Sequence, residues 1–151
     1  MADRRASGVR LVVSLYREFE QVARTGDLSM AQYRTLLYLM GGSLRAGELA
    51  AANAVTKPTV SAMIAGLRDR GWVSEAVDPS DGRVTRIVLT DAGRQRVSRF
   101  ERQLADRLEA LLPGVDPAEV RSVLDELYEA HATTRQERLA DVFGRPGAGP
   151  A

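Results

Sequence analysis

With 151 residues, 44% of them apolar and 27% charged, the chain can build one hydrophobic core but not two. Its formal charge of +1 neither selects nor excludes a nucleic-acid partner, and twenty Arg against one Lys read first as a compositional bias, so local placement has to carry any functional argument. The lack of cysteine removes disulfides, thiolate metal sites, cysteine nucleophiles and thiol redox sensing; the lone histidine removes a His-rich metal site within one chain; and no apolar run approaches a membrane span.

The opening MADRRASG carries charge without an apolar core or cleavage pattern behind it, so a cytoplasmic location is expected. The spacing of Leu11, Leu15, Phe19 and Val22, with Val12 beside them, predicts a helix over 9–25 that Gly26 and Asp27 break. Ser29, with Gln32 three residues on, makes a capping-box pattern for a second helix to about Met40. Tyr33, Leu36, Leu37 and Met40 are its inward positions, and Gly41 and Gly42 end it. A short helix over 46–52 carries Leu49 and Ala50, and Asn53-Ala54-Val55 reads as a tight connection. Thr56 caps the next helix, where Pro58 fits because it falls in the first turn. Val60, Ile64 and Leu67 face inward and Gly71 terminates it.

Trp72 to Val77 and Val84 to Leu89 read as two strands joined by Asp78-Pro79-Ser80-Asp81-Gly82-Arg83. In that link Pro79 fixes φ, and Gly82 permits a left-handed turn position. Thr90 caps a long helix over 91–112 with Val97, Phe100, Leu104, Leu108 and Leu111 on one face, and Pro113-Gly114 stops it. Asp116 caps a last helix that has Pro117 and Glu119 in its first turn and Val120, Val123, Leu124, Leu127 and Leu139 as apolar positions. The tail GRPGAGPA is Gly/Pro-rich and expected to fray.

Short helix, tight turn, helix and two-stranded ribbon follow one another in the order of a winged helix-turn-helix, in which the second helix enters the DNA major groove. The expected fold is therefore mainly α with a small β wing, in a single domain over 1–151. Within it, 29–89 is the winged helix-turn-helix, 90–112 a linker and dimer helix, and 9–28 and 116–143 dimerisation helices. Four segments carry a family resemblance: Leu49-Ala50 within GELA, the run Thr56 to Ser61, Leu67 with Gly71-Trp72-Val73, and DPSDGRVTRIVLTDAG. The last is the most specific, with Asp81-Gly82-Arg83, a strand, and then Leu89-Thr90-Asp91-Ala92-Gly93. Across residues 9–140 the chain resembles the MarR family of bacterial transcription regulators.

The resemblance implies a homodimer with interlocked terminal helices that presents two wings to a pseudo-palindromic operator in double-stranded DNA, a repressor released by a small aromatic effector. It also implies that Arg83 reaches into or across the minor groove, where a guanidinium suits the enhanced negative potential. Asp81 is expected to cap the turn or orient Arg83. Lys57, Thr59 and Ser61 lie in the first turns of the recognition helix, whose N–H groups also face a phosphate; capping and solvation are their simpler role. Arg68 further along, Arg86 on the returning strand and Arg45 are candidate backbone contacts, although each also reads as an ordinary exposed charge. Arg45 stands where the family usually has a Ser or Thr cap. Ala62, Ala65 and Gly66 replace longer polar groups, so direct base readout is expected to be sparse and the wing and DNA shape to carry more of the specificity.

By the same resemblance an effector pocket lies between the dimer helices and the winged domain, with Tyr16, Arg17, Phe19, Tyr33, Arg34 and Tyr38 as candidate lining. Phe19 and the tyrosines are equally natural as core. His131 reads as a surface or dimer-face residue. No Ser/His/Asp set, phosphate loop or HExxH occurs, and Asp78 and Asp81 fall in a turn expected to be exposed, so neither catalysis, a metal nor a cofactor is expected. A winged helix kept for protein–protein contact is the alternative.

Overall fold

A computed structural model describes the backbone of residues 4–143, and side chains over residues 6–132 and at residue 134. In chain order the elements are α1 (Arg4–Thr25), α2 (Met30–Met40), α3 (Ala46–Asn53), α4 (Lys57–Asp69), β1 (Val73–Val77), β2 (Thr85–Leu89), α5 (Asp91–Leu111) and α6 (Pro117–Phe143). α1 begins at Arg4, earlier than the predicted 9, because the helix runs through Gly8 and no proline interrupts it. The tail GRPGAGPA and the side chain of Leu139 lie outside the described residues.

The caps follow from local chemistry. The Ser29 hydroxyl accepts from the Gln32 amide at 3.1 Å, and the Gln32 side chain accepts from the Ser29 amide at 2.9 Å. The Thr90 hydroxyl accepts from Gly93 at 3.0 Å to open α5, and Asp116 accepts from Ala118 at 2.9 Å to open α6. α3 closes through Ala54, a non-glycine residue at φ +53, while Val55 donates to Ala50 O at 3.0 Å. α4 closes more easily, through Gly71 at φ +72.

The core runs between α2, α3, α4, the ribbon and α5, with Leu36, Leu39, Leu49, Val60, Leu67, Val97 and Phe100 almost fully enclosed. On α2 the buried face is Thr35, Leu36 and Leu39, whereas Leu37 and Met40, expected inside, are exposed. The face turns toward Thr35 because its hydroxyl has a partner in the Ala31 carbonyl at 3.0 Å, which removes the usual cost of burying it.

β1 and β2 pair antiparallel in the register Val73↔Leu89 to Val77↔Thr85. The segment before α3 joins their edge: Leu44 donates to Ile87 O at 3.1 Å and Ile87 to Leu44 O at 2.7 Å. Gly93 seats α5 against the end of α4, since a Cβ there would come within 2.1 Å of Trp72 O and 2.6 Å of Leu89 Cδ1. Beside it the buried Arg96 donates through Nε to Asp27 Oδ1 at 2.9 Å and lies over Trp72 and Phe100 at 5.7 and 5.5 Å.

α1 and α6 are different in kind. Val9, Leu11, Val12 and Val13 on α1, and Val123, Leu124, Leu127 and Tyr128 on α6, are all exposed in the single chain. Among the described residues no helix is long and apolar enough to cross a membrane.

Candidate nucleic-acid interface

The outer face of α4 is set by what its inner face buries. Val60, Ile64 and Leu67 are enclosed, which turns Lys57, Thr59, Ser61 and Ala62 to solvent in the first two turns. Thr56 caps the helix by accepting from the Thr59 amide at 3.4 Å, and the hydroxyls of Thr56 and Thr59 lie 2.8 Å apart. Thr59 is thus tied into the cap, while Lys57 and Ser61 stand exposed. Behind them a cleft of about 320 Å³ runs between α4 and the ribbon, lined by Ser61, Ala65, Arg68, Glu75 and Thr85 among others. Helix face and wing therefore form one continuous surface. Arg68 crosses the cleft mouth and donates to Glu75 Oε1 on β1 at 2.7 Å. The structure engages it as a strut between helix and wing, a partner that sequence reasoning did not supply.

The wing turn is built around two aspartates. Asp81 accepts from the Arg83 amide at 3.0 Å, and its carbonyl accepts from Val84 at 2.9 Å, so it caps the turn as expected. Arg83 is exposed at the tip. Gly82 does not use the left-handed conformation that glycine permits. Asp81 closes the turn by accepting the amide of Arg83, so no positive φ is needed.

Asp78 corrects the expectation of an exposed turn, since it is only 3% exposed. Its carboxylate accepts from the Ser80 hydroxyl at 2.6 Å, the Ser80 amide at 2.9 Å and Arg86 Nε at 2.5 Å. These donors, Ser80 first and Arg86 after it, hold the carboxyl well below the usual aspartate range. Arg86, a candidate DNA contact, places two of its donors inside the protein: Nε on Asp78 and Nη1 on Ser43 O at 3.0 Å. Arg45 Nη2 lies 3.5 Å from the same carboxylate. The missing side-chain cap of α3 is offset from the other direction, because Glu48 accepts the Arg45 amide at 2.7 Å. The signal for Asp78 was present in the sequence: Asp-Pro-Ser is a side-chain-capped turn, with Ser two residues on to donate back.

The candidate effector residues do not gather in one place. Tyr33 points to α5, where its hydroxyl donates to Glu101 at 3.0 Å and its ring meets Phe100 edge-on at 5.1 Å. Burial, with the Glu101 charge beside it, pushes the Tyr33 phenol upward. Tyr38 points to α3, donating to Ala52 O at 3.0 Å. Phe19 packs on the core, while Tyr16, Arg17 and Arg34 are exposed. His131 is exposed on α6.

The sequence model of the MarR family matches residues 26–84, the span from the start of α2 to the wing. The chain is 33% identical over 105 residues to an uncharacterised HTH-type transcriptional regulator of Mycobacterium bovis, covering 66% of this chain and 73% of that one. A match to the HTH-type transcriptional repressor IacR of Pseudomonas putida is 24% identical and covers 70% of this chain; it spans 64% of that protein's length. Among solved structures, a Staphylococcus aureus MepR mutant bound to an oligodeoxyribonucleotide superposes with a TM-score of 0.62 at 22% identity, covering 87% of this chain and 99% of that one. Bordetella bronchiseptica BpsR, described by the regulation of its DNA binding by 6-hydroxynicotinic acid, superposes at 0.54 with 24% identity, covering 85% and 93%.

Proposed function

The chain belongs to the MarR family of winged helix-turn-helix transcriptional regulators, and from that premise we propose that it is a homodimeric repressor that binds a pseudo-palindromic operator and is released by a small aromatic effector. The observation that carries the DNA-binding part is the single surface formed by the outer face of α4, the cleft and the wing, with Lys57 and Ser61 at one end and Arg83 at the other. Ser61, Ala62, Ala65 and Gly66 let the helix backbone approach closely, while offering few long donors to base edges. Specificity then rests on Lys57, Arg83 and the deformability of the DNA.

The dimer is supported by the apolar residues that α1 and α6 leave exposed in one chain; a two-fold assembly through them matches a palindromic half-site arrangement. The effector is supported by the regulation described for the Bordetella protein. With Tyr33 and Tyr38 committed to α5 and α3, its site draws on Tyr16, Arg17 and Arg34, completed by the second chain.

The direct experiment is fluorescence anisotropy against the duplex that precedes the chain's own coding sequence, over a salt series. Arg83→Ala should weaken binding and, for a phosphate contact, flatten the slope of log affinity against log salt by about 1.8, one contact being lost from each protomer of the dimer. Unchanged binding at moderate salt would remove Arg83 from the interface. Release of the duplex by salicylate or benzoate tests the effector; no release across an aromatic panel counts against it.

A further inference from the structure

One carboxylate joins three parts of the molecule that are distant in sequence. Asp78 follows β1 and lies under the wing, with its Oδ1 taken by the amide and hydroxyl of Ser80 in the turn. Its Oδ2 accepts from Arg86 on β2 at 2.5 Å and faces Arg45, the N-cap residue of α3, at 3.5 Å. The two guanidiniums are not equivalent. Arg86 is held at both ends, by Asp78 and by Ser43 O, and its side chain is 27% exposed; that of Arg45 is 47% exposed.

A charge count gives the cluster a direction. Two guanidiniums share the Asp78 carboxylate, and Glu48 accepts the Arg45 backbone amide rather than its guanidinium, so one positive charge is in excess among these three side chains. Arg86 is the less exposed of the two and is also held by Ser43 O, so the surplus falls on Arg45, on the surface beside the wing. A guanidinium already steadied by a buried acid loses less rotamer freedom on meeting a phosphate than one that moves freely in solvent. The carboxylate and Arg86 together link the wing, to which Ser80 and Arg86 belong, with Ser43 and Arg45 at the edge of the helix-turn-helix.

We propose that Asp78 is a positioning residue for DNA binding: it holds Arg45 as a phosphate contact at the joint between α3 and the wing, so that both meet the DNA backbone as one unit. The proposal rests on the DNA-binding reading above. It gives the buried acid a task in recognition and gives Arg45, an unusual residue at a helix cap, its reason.

The test uses the full chain and the duplex preceding its own coding sequence. Asp78→Asn adds positive charge to a surface that binds DNA, so electrostatics alone would tighten binding. Positioning predicts the opposite: affinity about tenfold weaker, with a salt slope lower by about 1.8, one contact being lost from each protomer. Arg45→Gln should weaken binding to a similar degree, and adding Asp78→Asn to it should cost little more; a merely structural Asp78 would add its full loss on top. Should Asp78→Asn fail to fold in thermal melts, Arg45→Lys carries the test. It keeps the charge but lacks the fork that bridges carboxylate and phosphate, and should bind as weakly as Arg45→Gln. Asp78→Asn binding as tightly as the parent, additive losses, or Arg45→Lys indistinguishable from the parent would each overturn the proposal. No binding by the parent chain overturns the regulatory reading and this one with it, whereas parent binding with the wrong ratios overturns the positioning role alone.

Discussion

Arginine is the common cation of this chain, and the residues beside each one decide what it does. Arg83 projects from the wing tip, Arg68 braces helix to wing through Glu75, Arg86 is anchored by Asp78 and Ser43, and Arg96 is buried over two rings. Only the first role was readable from the turn itself, because Asp81 and Arg83 are neighbours along the chain. Arg96 finds Asp27 across 69 residues and Arg86 finds Ser43 across 43, separations at which a one-dimensional pattern carries no distance. Asp78 also makes a prediction about acid. Its folded-state carboxyl titrates below an unstructured aspartate, about 3.9, so its contribution to stability is complete above that value and is lost as pH falls through the lowered folded one. Asp78→Asn should therefore flatten the fall of stability between about pH 4 and pH 2, measured by urea melts at stepped pH. An acid limb identical to the parent's would show that other carboxylates govern it.

At the scale of elements, the caps were the most readable feature, since Ser29 with Gln32, Thr56 and Thr90 each satisfy orphaned amides through atoms a few residues away. Helix faces were less so: periodicity finds an apolar arc, but its centre on α2 is moved to Thr35 by a hydroxyl bonded within the helix. Two backbone positions give opposite predictions for a single methyl group. Ala54 carries a Cβ in a left-handed conformation, so Ala54→Gly should raise stability by about 0.5 kcal/mol, the steric penalty of about 1 kcal/mol less the entropy that glycine adds to the unfolded chain. Gly93 faces the Trp72 carbonyl at close range, so Gly93→Ala should cost about 2 kcal/mol or more and loosen α5 from the end of α4. Chemical denaturation of both variants checks the pair. A loss at position 54 would mean that the α3–α4 turn needs its methyl group for packing.

For the whole molecule, the terminal helices are only partly covered within one chain. Phe19, Val22 and Ala23 of α1 pack into the core, while Val12 and Val13 of α1 and Leu124 and Leu127 of α6 stay exposed, the surface on which the proposed dimer rests. Leu127→Glu should leave the fold of each chain intact, because that side chain is 60% exposed, yet bring like charges together across a two-fold interface. Sedimentation should then fall to the 16.5 kDa monomer, with operator binding lost in parallel; a dimer that persists would move the interface elsewhere. The chain's single tryptophan stands where the winged core meets α5. Trp72 opens the ribbon after α4, lends its carbonyl to the start of α5, and lies beneath the guanidiniums of Arg70 and Arg96, at 4.9 and 5.7 Å. An indole held against two guanidiniums is a built-in optical probe, so any ligand or DNA that shifts α5 against α4 announces itself in the protein's own emission, with no label attached.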